Sequence, residues 1–241
     1  RAVARAVGAV PGARLVRVRG RGPAAARNLG AQVARAPVVC FTDDDCSPDP
    51  TWAGRLAAAV ASGPAAAAGP TRNADPRARC AATAQTITNH LVDRSRTGEP
   101  PDEAVGFVPT CNLAVRADVM AALPFDEDFP LAAGEDREWC ARLANAGQII
   151  RWVPDAEVVH HQDLPWRRFW RQQVRYGHGA RRHHAMRPRG QRYQSPGFYT
   201  GLVRRGLAES WRVGVLVVIA QVAIAAGLLA DRLGIGQGSA R

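Results

Sequence analysis

The sequence has no internal repeat, no Cys-x-x-Cys pair and no signal peptide. The first absence excludes solenoid and propeller architectures. The five cysteines (Cys40, Cys46, Cys80, Cys111 and Cys140) are scattered and odd in number. They fit neither zinc-ligand spacing nor a disulfide framework, and they suit buried thiols in a reducing compartment. The N-terminus lacks the charged–apolar–small pattern of a secretory leader. It also lacks a starting Met and opens inside what reads as an Ala/Val/Arg helix. The expectation is a chain that begins downstream of its true first strand. Acids are scarce: 21 Asp and Glu stand against 32 basic residues, giving a net charge of +11. That balance fits phosphorylated substrates, anionic lipid or nucleic acid as partners. The excess is carried almost entirely by Arg and is concentrated in 167–192.

What is present reads as layered α/β. Length allows one sizeable domain plus appendages. A strand is expected at Arg14-Leu15-Val16-Arg17-Val18, a loop over Gly20-Arg21-Gly22-Pro23, a helix over 24–34 and a strand over 38–42. Pro48-Asp49-Pro50 is expected to stop regular structure, and a helix follows to about Ala61. A short strand at 65–68 and a helix near 79–93 follow. Residues 105–115 read as extended, 117–122 and 135–146 as helices, and 148–153 and 156–160 as strands. Strand–helix alternation implies parallel strands. Residues 165–185 read as a basic, aromatic helix, and 213–230 form a nearly unbroken apolar run.

The chemistry centres on Val38-Val39-Cys40-Phe41-Thr42-Asp43-Asp44-Asp45. A buried strand ending in three adjacent carboxylates is costly unless a cation sits there. Oxygen ligands of this kind suit Mg²⁺ or Mn²⁺ shared with substrate phosphates. Glu135-Asp136 opens a helix, where acids serve either as a cap or, for Asp136, as a general base. His160-His161 ends a strand; neighbouring side chains there point to opposite faces, so one of the two, His160, is expected to face the acids as a metal ligand. Arg27-Asn28 sits in the Ala-rich helix as a surface pair or a nucleotide contact. The segment WRRFWRQQVRY (166–176) suits nucleic acid, a membrane surface or plain core packing.

In this order the motifs resemble an inverting family-2 glycosyltransferase of GT-A fold. The matching pieces are Ala26-Arg27-Asn28-Leu29-Gly30, Phe41-Thr42-Asp43-Asp44-Asp45, Pro48-Asp49-Pro50-Thr51-Trp52, Thr110-Cys111-Asn112-Leu113, Pro124-Phe125-Asp126-Glu127, Gly134-Glu135-Asp136 and Val158-Val159-His160. The resemblance covers roughly residues 1–185. It implies a Rossmann-like GT-A domain with a mostly parallel sheet (1–165), followed by an amphipathic helix and linker (166–200) and an apolar helix and tail (201–241). It implies Asp43 at the nucleotide ribose and Asn112 lining the sugar or acceptor pocket; Asp44, Arg27 and Glu135 are further candidates for binding the nucleotide sugar. Asp45 and His160 would hold Mg²⁺ or Mn²⁺, and Asp136 would be the base. Gln172-Gln173-Val174-Arg175-Tyr176 is faintly similar to the QxxRW element of processive members. The implied reaction is inverting sugar transfer from a nucleotide-diphosphate sugar to a glycan or lipid-linked hydroxyl, at the cytoplasmic face of the cell membrane, with no nucleic-acid partner. A metal-dependent phosphohydrolase of nucleotide sugars and a non-catalytic basic membrane or nucleic-acid binding protein are the competing classes.

Overall fold

A computed structural model describes residues 5, 7–18, 22–129, 134–185 and 194–232. Helix α1 (Gly22–Val33) leads to β1 (Val38–Phe41) and β2 (Cys46–Pro48), then α2 (Trp52–Ala61), β3 (Ala66–Ala68) and β4 (Thr71–Asn73). The long α3 (Arg79–Arg94), β5 (Arg96–Thr97) and β6 (Ala104–Val105) precede a 3₁₀ turn (Thr110–Asn112) that feeds β7 (Leu113–Arg116). Next come α4 (Ala117–Ala122), α5 (Glu135–Asn145), β8 (Ile150–Trp152) and β9 (Val158–His160). Three helices close the chain: α6 (Trp166–Ala185), α7 (Pro196–Glu209) and α8 (Trp211–Arg232).

Six strands form one sheet in the order β1-β7-β3-β8-β6-β5, and β2-β9-β4 form a second. The α/β class and the C-terminal helices are as expected, but the sheet is mixed rather than mostly parallel. Only β3–β8 and β4–β9 run parallel among the described pairs. The cause is β7, which inserts antiparallel between β1 and β3. Alternating side chains on the central strands build two layers. Leu113, Val115, Ala66 and Ala68 face Trp139 and Leu143 of α5. Ala114 and Ala67 face Trp52, Leu56 and Val60 of α2.

Two local expectations fail. Residues 14–17 are exposed, Val18 is half-buried, and none of them joins a strand; a five-residue alternating segment gains little without a neighbour to pair with, and among the described residues β1 pairs only with β7. Pro48 does not stop regular structure but ends β2. It is tolerated because β2 lies at the edge of its sheet, where a missing N–H leaves no ladder bond unmade. The Gly20-Arg21 part of the expected loop lies outside the described residues; Gly22 already begins α1.

The C-terminal helices dock on the α/β unit. Phe169 of α6, Phe198 and Leu202 of α7, and Val213, Val217 and Ala220 of α8 share one core with Ala82, Ala84 and Ile87 of α3. Helices α6 and α8 cross at Gly177 and Gly227. A Cβ on Gly177 would collide with the Ile224 carbonyl, and one on Gly227 with that of Val174. Opposite the buried side of α8, Val215, Val218, Val222 and Leu229 are exposed.

Candidate functional site

The acid turn after β1 is tight, with the Cys46 N–H donating to the Asp43 carbonyl at 3.1 Å. The turn delivers the chain into β2, whose pairing places Cys46 opposite His160 of β9. The His161 N–H then donates to the Asp45 carbonyl at 2.7 Å. These bonds put His160 Nε2 3.2 Å from Asp45 Oδ1. His161 turns away to Ser47 Oγ at 3.0 Å, so His160 faces the acids.

A relay of amides on α3 orients that imidazole. Asn89 Nδ2 donates to the Thr71 carbonyl, so Asn89 Oδ1 is turned to accept from Gln85 Nε2 at 2.8 Å. Gln85 Oε1 is therefore aimed at His160 Nδ1, 3.3 Å away. An amide oxygen only accepts, so Nδ1 carries the hydrogen and, in the neutral ring, the Nε2 lone pair faces the Asp45 carboxylate. Two acceptors facing each other form a site that a cation stabilises. A ligating His whose other nitrogen donates to a fixed oxygen is the usual supporting arrangement. The Asp45 oxygen, His160 nitrogen and Cys46 sulfur all lie within 4.8 Å of one another. Carboxylate and imidazole suit Mn²⁺ or Mg²⁺, with the softer thiol at the margin.

Arg27 ties this end to the second acid pair. Its Nη1 donates to Glu135 Oε1 at 2.8 Å, and its Nη2 lies 3.7 Å from Asp43 Oδ1. The guanidinium also sits over the Phe125 ring at 5.8 Å. Asn28, one residue on, exchanges two hydrogen bonds with the Phe125 backbone and is structural. Burial raises the Asp43 carboxyl above its ordinary range, and Arg27 opposes that rise.

Gly134, in the left-handed region at φ 98°, turns the chain into α5. Trp139 of α5 is fully buried against Phe125 and donates to the Leu123 carbonyl, which anchors the helix. Asp136 is half-buried and accepts from the Arg137 N–H at 2.8 Å. Loss of hydration first, and the neighbouring Glu135 charge second, push its carboxyl up to about 7. Burial pushes the Cys140 thiol beneath it up to about 12, so that group stays protonated across the neutral range.

These groups line one cavity of about 320 Å³. Asp43, Asp45 and His160 line it together with Glu135 and Asp136, and Arg27 bridges the two groups. Helix α6 covers it with Gln172, Gln173, Arg175 and Tyr176, and Ile224 of α8 adds an apolar wall with Ile87, Leu91 and Phe107. A second cavity shares Asp45 and carries Arg168, Arg171 and Arg175 on its wall.

Two sequence-derived site residues are displaced. Asp44 is exposed on the turn and does not line the cavity; alternation along the turn sends it outward. Asn112 is completely buried instead of lining a sugar pocket. Its Oδ1 accepts from Trp52 Nε1 at 2.7 Å, and its Nδ2 donates to the Pro70 and Ala156 carbonyls. Every polar atom of that side chain is used in joining α2 to the segments that lead into β4 and β9. Sequence reading missed Gln85 and named Gln173 only within the faint QxxRW likeness of 172–176, because the roles of both depend on contacts far along the chain. It also passed over Cys46 as a possible ligand, although the residue directly follows the acid triplet.

Comparison with known proteins agrees with this geometry. Residues 2–123, just over half of the 241-residue chain, match the family described as Glycosyl transferase family 2. The pre-mycofactocin glycosyltransferase of Mycobacterium tuberculosis (strain H37Rv) is 29% identical over 168 residues, 66% of this chain and 34% of that protein. Glycosyltransferase AglE of Haloferax volcanii is 28% identical over 162 residues, 66% of this chain and 50% of that protein. The chain thus spans between a third and a half of the length of these relatives. Among solved structures, the mannosyltransferase PcManGT from Pyrobaculum calidifontis, in complex with GDP-Man and Mn²⁺, matches with a TM-score of 0.54. It is 20% identical, and the match covers 99% of this chain and 67% of that one, a likeness of fold. Given the family match over residues 2–123, which includes the acid turn, the chain belongs to glycosyl transferase family 2.

Proposed function

We propose that this protein transfers a sugar from a nucleotide-diphosphate sugar to a hydroxyl acceptor, with inversion at the anomeric carbon. One observation carries the reading. A single cavity holds a cation-ready Asp45–His160 pair beside Asp43 and Arg27, and a separate carboxyl, Asp136, raised to about 7. A carboxyl raised to about 7 suits removal of the proton from an acceptor hydroxyl. The structural neighbour bound GDP-Man and Mn²⁺, which supports the same ligand class here.

Asp45 and His160 would hold Mg²⁺ or Mn²⁺, which when bound offsets negative charge on the diphosphate. Arg175, shared by both cavities, and Arg168 and Arg171 of the adjoining wall give a basic surface for the same phosphates. Asp43 would accept a hydrogen bond from a nucleotide hydroxyl. Asp136 takes the proton from the acceptor hydroxyl. The oxygen attacks the anomeric carbon as the bond to the diphosphate breaks. A base with pKa near the working pH is the favourable compromise between ionisation and basicity. Calorimetry with UDP, GDP and dTDP, with and without Mn²⁺, tests the metal–nucleotide half. The expected outcome is Mn²⁺-dependent binding of one nucleotide that is lost in Asp45→Ala. Metal-independent binding, or unchanged binding in that variant, would refute it.

The acceptor side is apolar, with Ile87, Leu91, Phe107 and Ile224 on the wall. Helix α8 is long and apolar enough to cross a bilayer over Trp211–Ala230, yet one side of it packs on α3, α6 and α7. We infer that α8 rests its exposed face in the membrane interface, with the basic face of α6 and Arg204 and Arg212 toward anionic headgroups, while Arg205 pairs with Asp93 of α3. This presents the cavity to a lipid-linked acceptor at the cytoplasmic face. Replacing Val215, Val218, Val222 and Leu229 with Ser should release the folded protein from vesicles containing phosphatidylglycerol. Retention as tight as wild type would contradict the placement.

A further inference from the structure

Gln173 occupies a position on α6 where an apolar side chain would be expected. Phe169, four residues before, is fully buried, and Gly177, four residues after, is locked against α8. This buried stripe at helical spacing is interrupted by one amide that is 1% exposed. Gln173 Nε2 donates to Gln172 Oε1 at 3.3 Å. Because that neighbour contributes an acceptor, the amide turns its nitrogen toward Gln172 and its oxygen away. Among the described residues Gln173 Oε1 has no hydrogen-bond partner. The residue lines the cavity that also holds Asp136, Tyr176 and Thr110.

A buried carbonyl without a donor is unfavourable, whereas a Leu or Met of similar volume would carry no such penalty. The carboxylates across the cavity, Asp136 and Glu135, are acceptors in their ionised form and cannot satisfy it. The Gly177–Gly227 crossing holds this turn of α6 in place, so the side chain has little freedom to swing toward solvent. The donors that line the cavity, Tyr176, Thr110 and Arg175, do not reach Gln173 Oε1 in the unliganded chain, so the missing partner is a donor brought by a ligand. A sugar is the ligand class this cavity is proposed to hold, and hydroxyls are its donors.

We propose that Gln173 Oε1 accepts a hydrogen bond from a substrate sugar hydroxyl and thereby selects for it. This rests on the sugar-transfer reading of the cavity. The hydroxyl belongs either to the transferred sugar or to the acceptor, and the chemistry of recognition is the same. A site built to pair a hydroxyl discriminates strongly against a ligand that lacks it, since its own acceptor is then stranded.

The test compares full-length wild type with Gln173→Leu and Gln173→Glu, the second keeping an acceptor. Binding of GDP-mannose, UDP-glucose, GDP and UDP is measured by calorimetry with Mn²⁺, and transfer is measured to n-octyl β-D-glucoside as a soluble acceptor. If the transferred sugar supplies the hydroxyl, Gln173→Leu weakens the nucleotide sugar by about tenfold or more and leaves the nucleotide alone unchanged. If the acceptor supplies it, both binding constants hold and the KM for the glucoside rises by about tenfold. In either case Gln173→Glu should recover part of the loss, and the unliganded melting midpoint of Gln173→Leu should equal or exceed wild type. A lowered midpoint with unchanged binding and KM would mean a packing role and overturn the proposal. So would all constants within about twofold of wild type. Wild type that binds none of the nucleotide sugars would refute the sugar-transfer reading, and this inference with it. Wild type that binds one of them beside an unaffected Gln173→Leu refutes the inference alone.

Discussion

Asp136→Asn should make the unliganded protein more stable at pH 8 and leave it unchanged near pH 4. The carboxyl titrates at about 7 in the folded chain against 3.8 ordinarily, because burial and the Glu135 charge disfavour ionisation. An acid whose folded pKa is raised imposes no cost below the unfolded pKa, where it is protonated in both states. The cost grows as pH rises from about 4 to about 7 and is constant above that. At about 1.4 kcal/mol per tenfold, the full span is a little over 4 kcal/mol, and relaxation of the half-buried group and of Glu135 reduces it to roughly 2–4 kcal/mol. Asn keeps the shape and can still accept from the Arg137 N–H, so little else is lost. For a chain of this size that is roughly a 5–10 °C rise in melting midpoint. Melts of both proteins from pH 4 to 8.5, without nucleotide or metal, provide the curve. A difference that does not change with pH, or an Asn variant less stable at pH 8, would refute the assignment of a raised carboxyl to Asp136.

Gly177→Ala should destabilise the protein by about 1–3 kcal/mol or more, because the added methyl meets the Ile224 backbone, which cannot yield without opening the α6–α8 crossing. Gly54→Ala on the exposed face of α2, with open space at its Cβ, should stabilise by about 0.5–1 kcal/mol, and urea midpoints of the pair distinguish crowding from general glycine effects. Asn112→Ala strands the Trp52 indole N–H and two carbonyls and should cost about 2–4 kcal/mol by urea unfolding. Nucleotide affinity per folded molecule should stay within about twofold, since Asn112 does not line the cavity.

Local patterns made most elements legible. The Ala-rich helix, the strand running into Asp43, and the Glu135-Asp136 helix start all fall where periodicity and breakers place them. What stayed hidden was set by partners distant in sequence. Sheet direction followed from β7 lying between β1 and β3, a crossover that no local pattern announces. The Asp45–His160 contact needed β2 to pair with β9, and Pro48 disguised that strand as a stop. Asn112 is a candidate in sequence only through the resemblance carried by Thr110-Cys111-Asn112-Leu113. Its partner Trp52 is 60 positions away, and only the fold reveals a structural amide. Gln173 sits in a helix crowded with Arg and aromatics, where one more polar residue carries no signal until its burial is known. Helix α7 (Pro196–Glu209) was passed over because its glycines and paired arginines blur the apolar stripe at Phe198 and Leu202.

The most direct test of the catalytic assignment is the initial rate of sugar transfer by Asp136→Asn, with nucleotide-sugar affinity measured on the same preparation. Removal of a base that acts only in the transition state should lower transfer by about 100-fold or more and leave donor affinity within about threefold. Transfer within about tenfold of wild type, roughly 1.4 kcal/mol of barrier, would contradict a base role for Asp136.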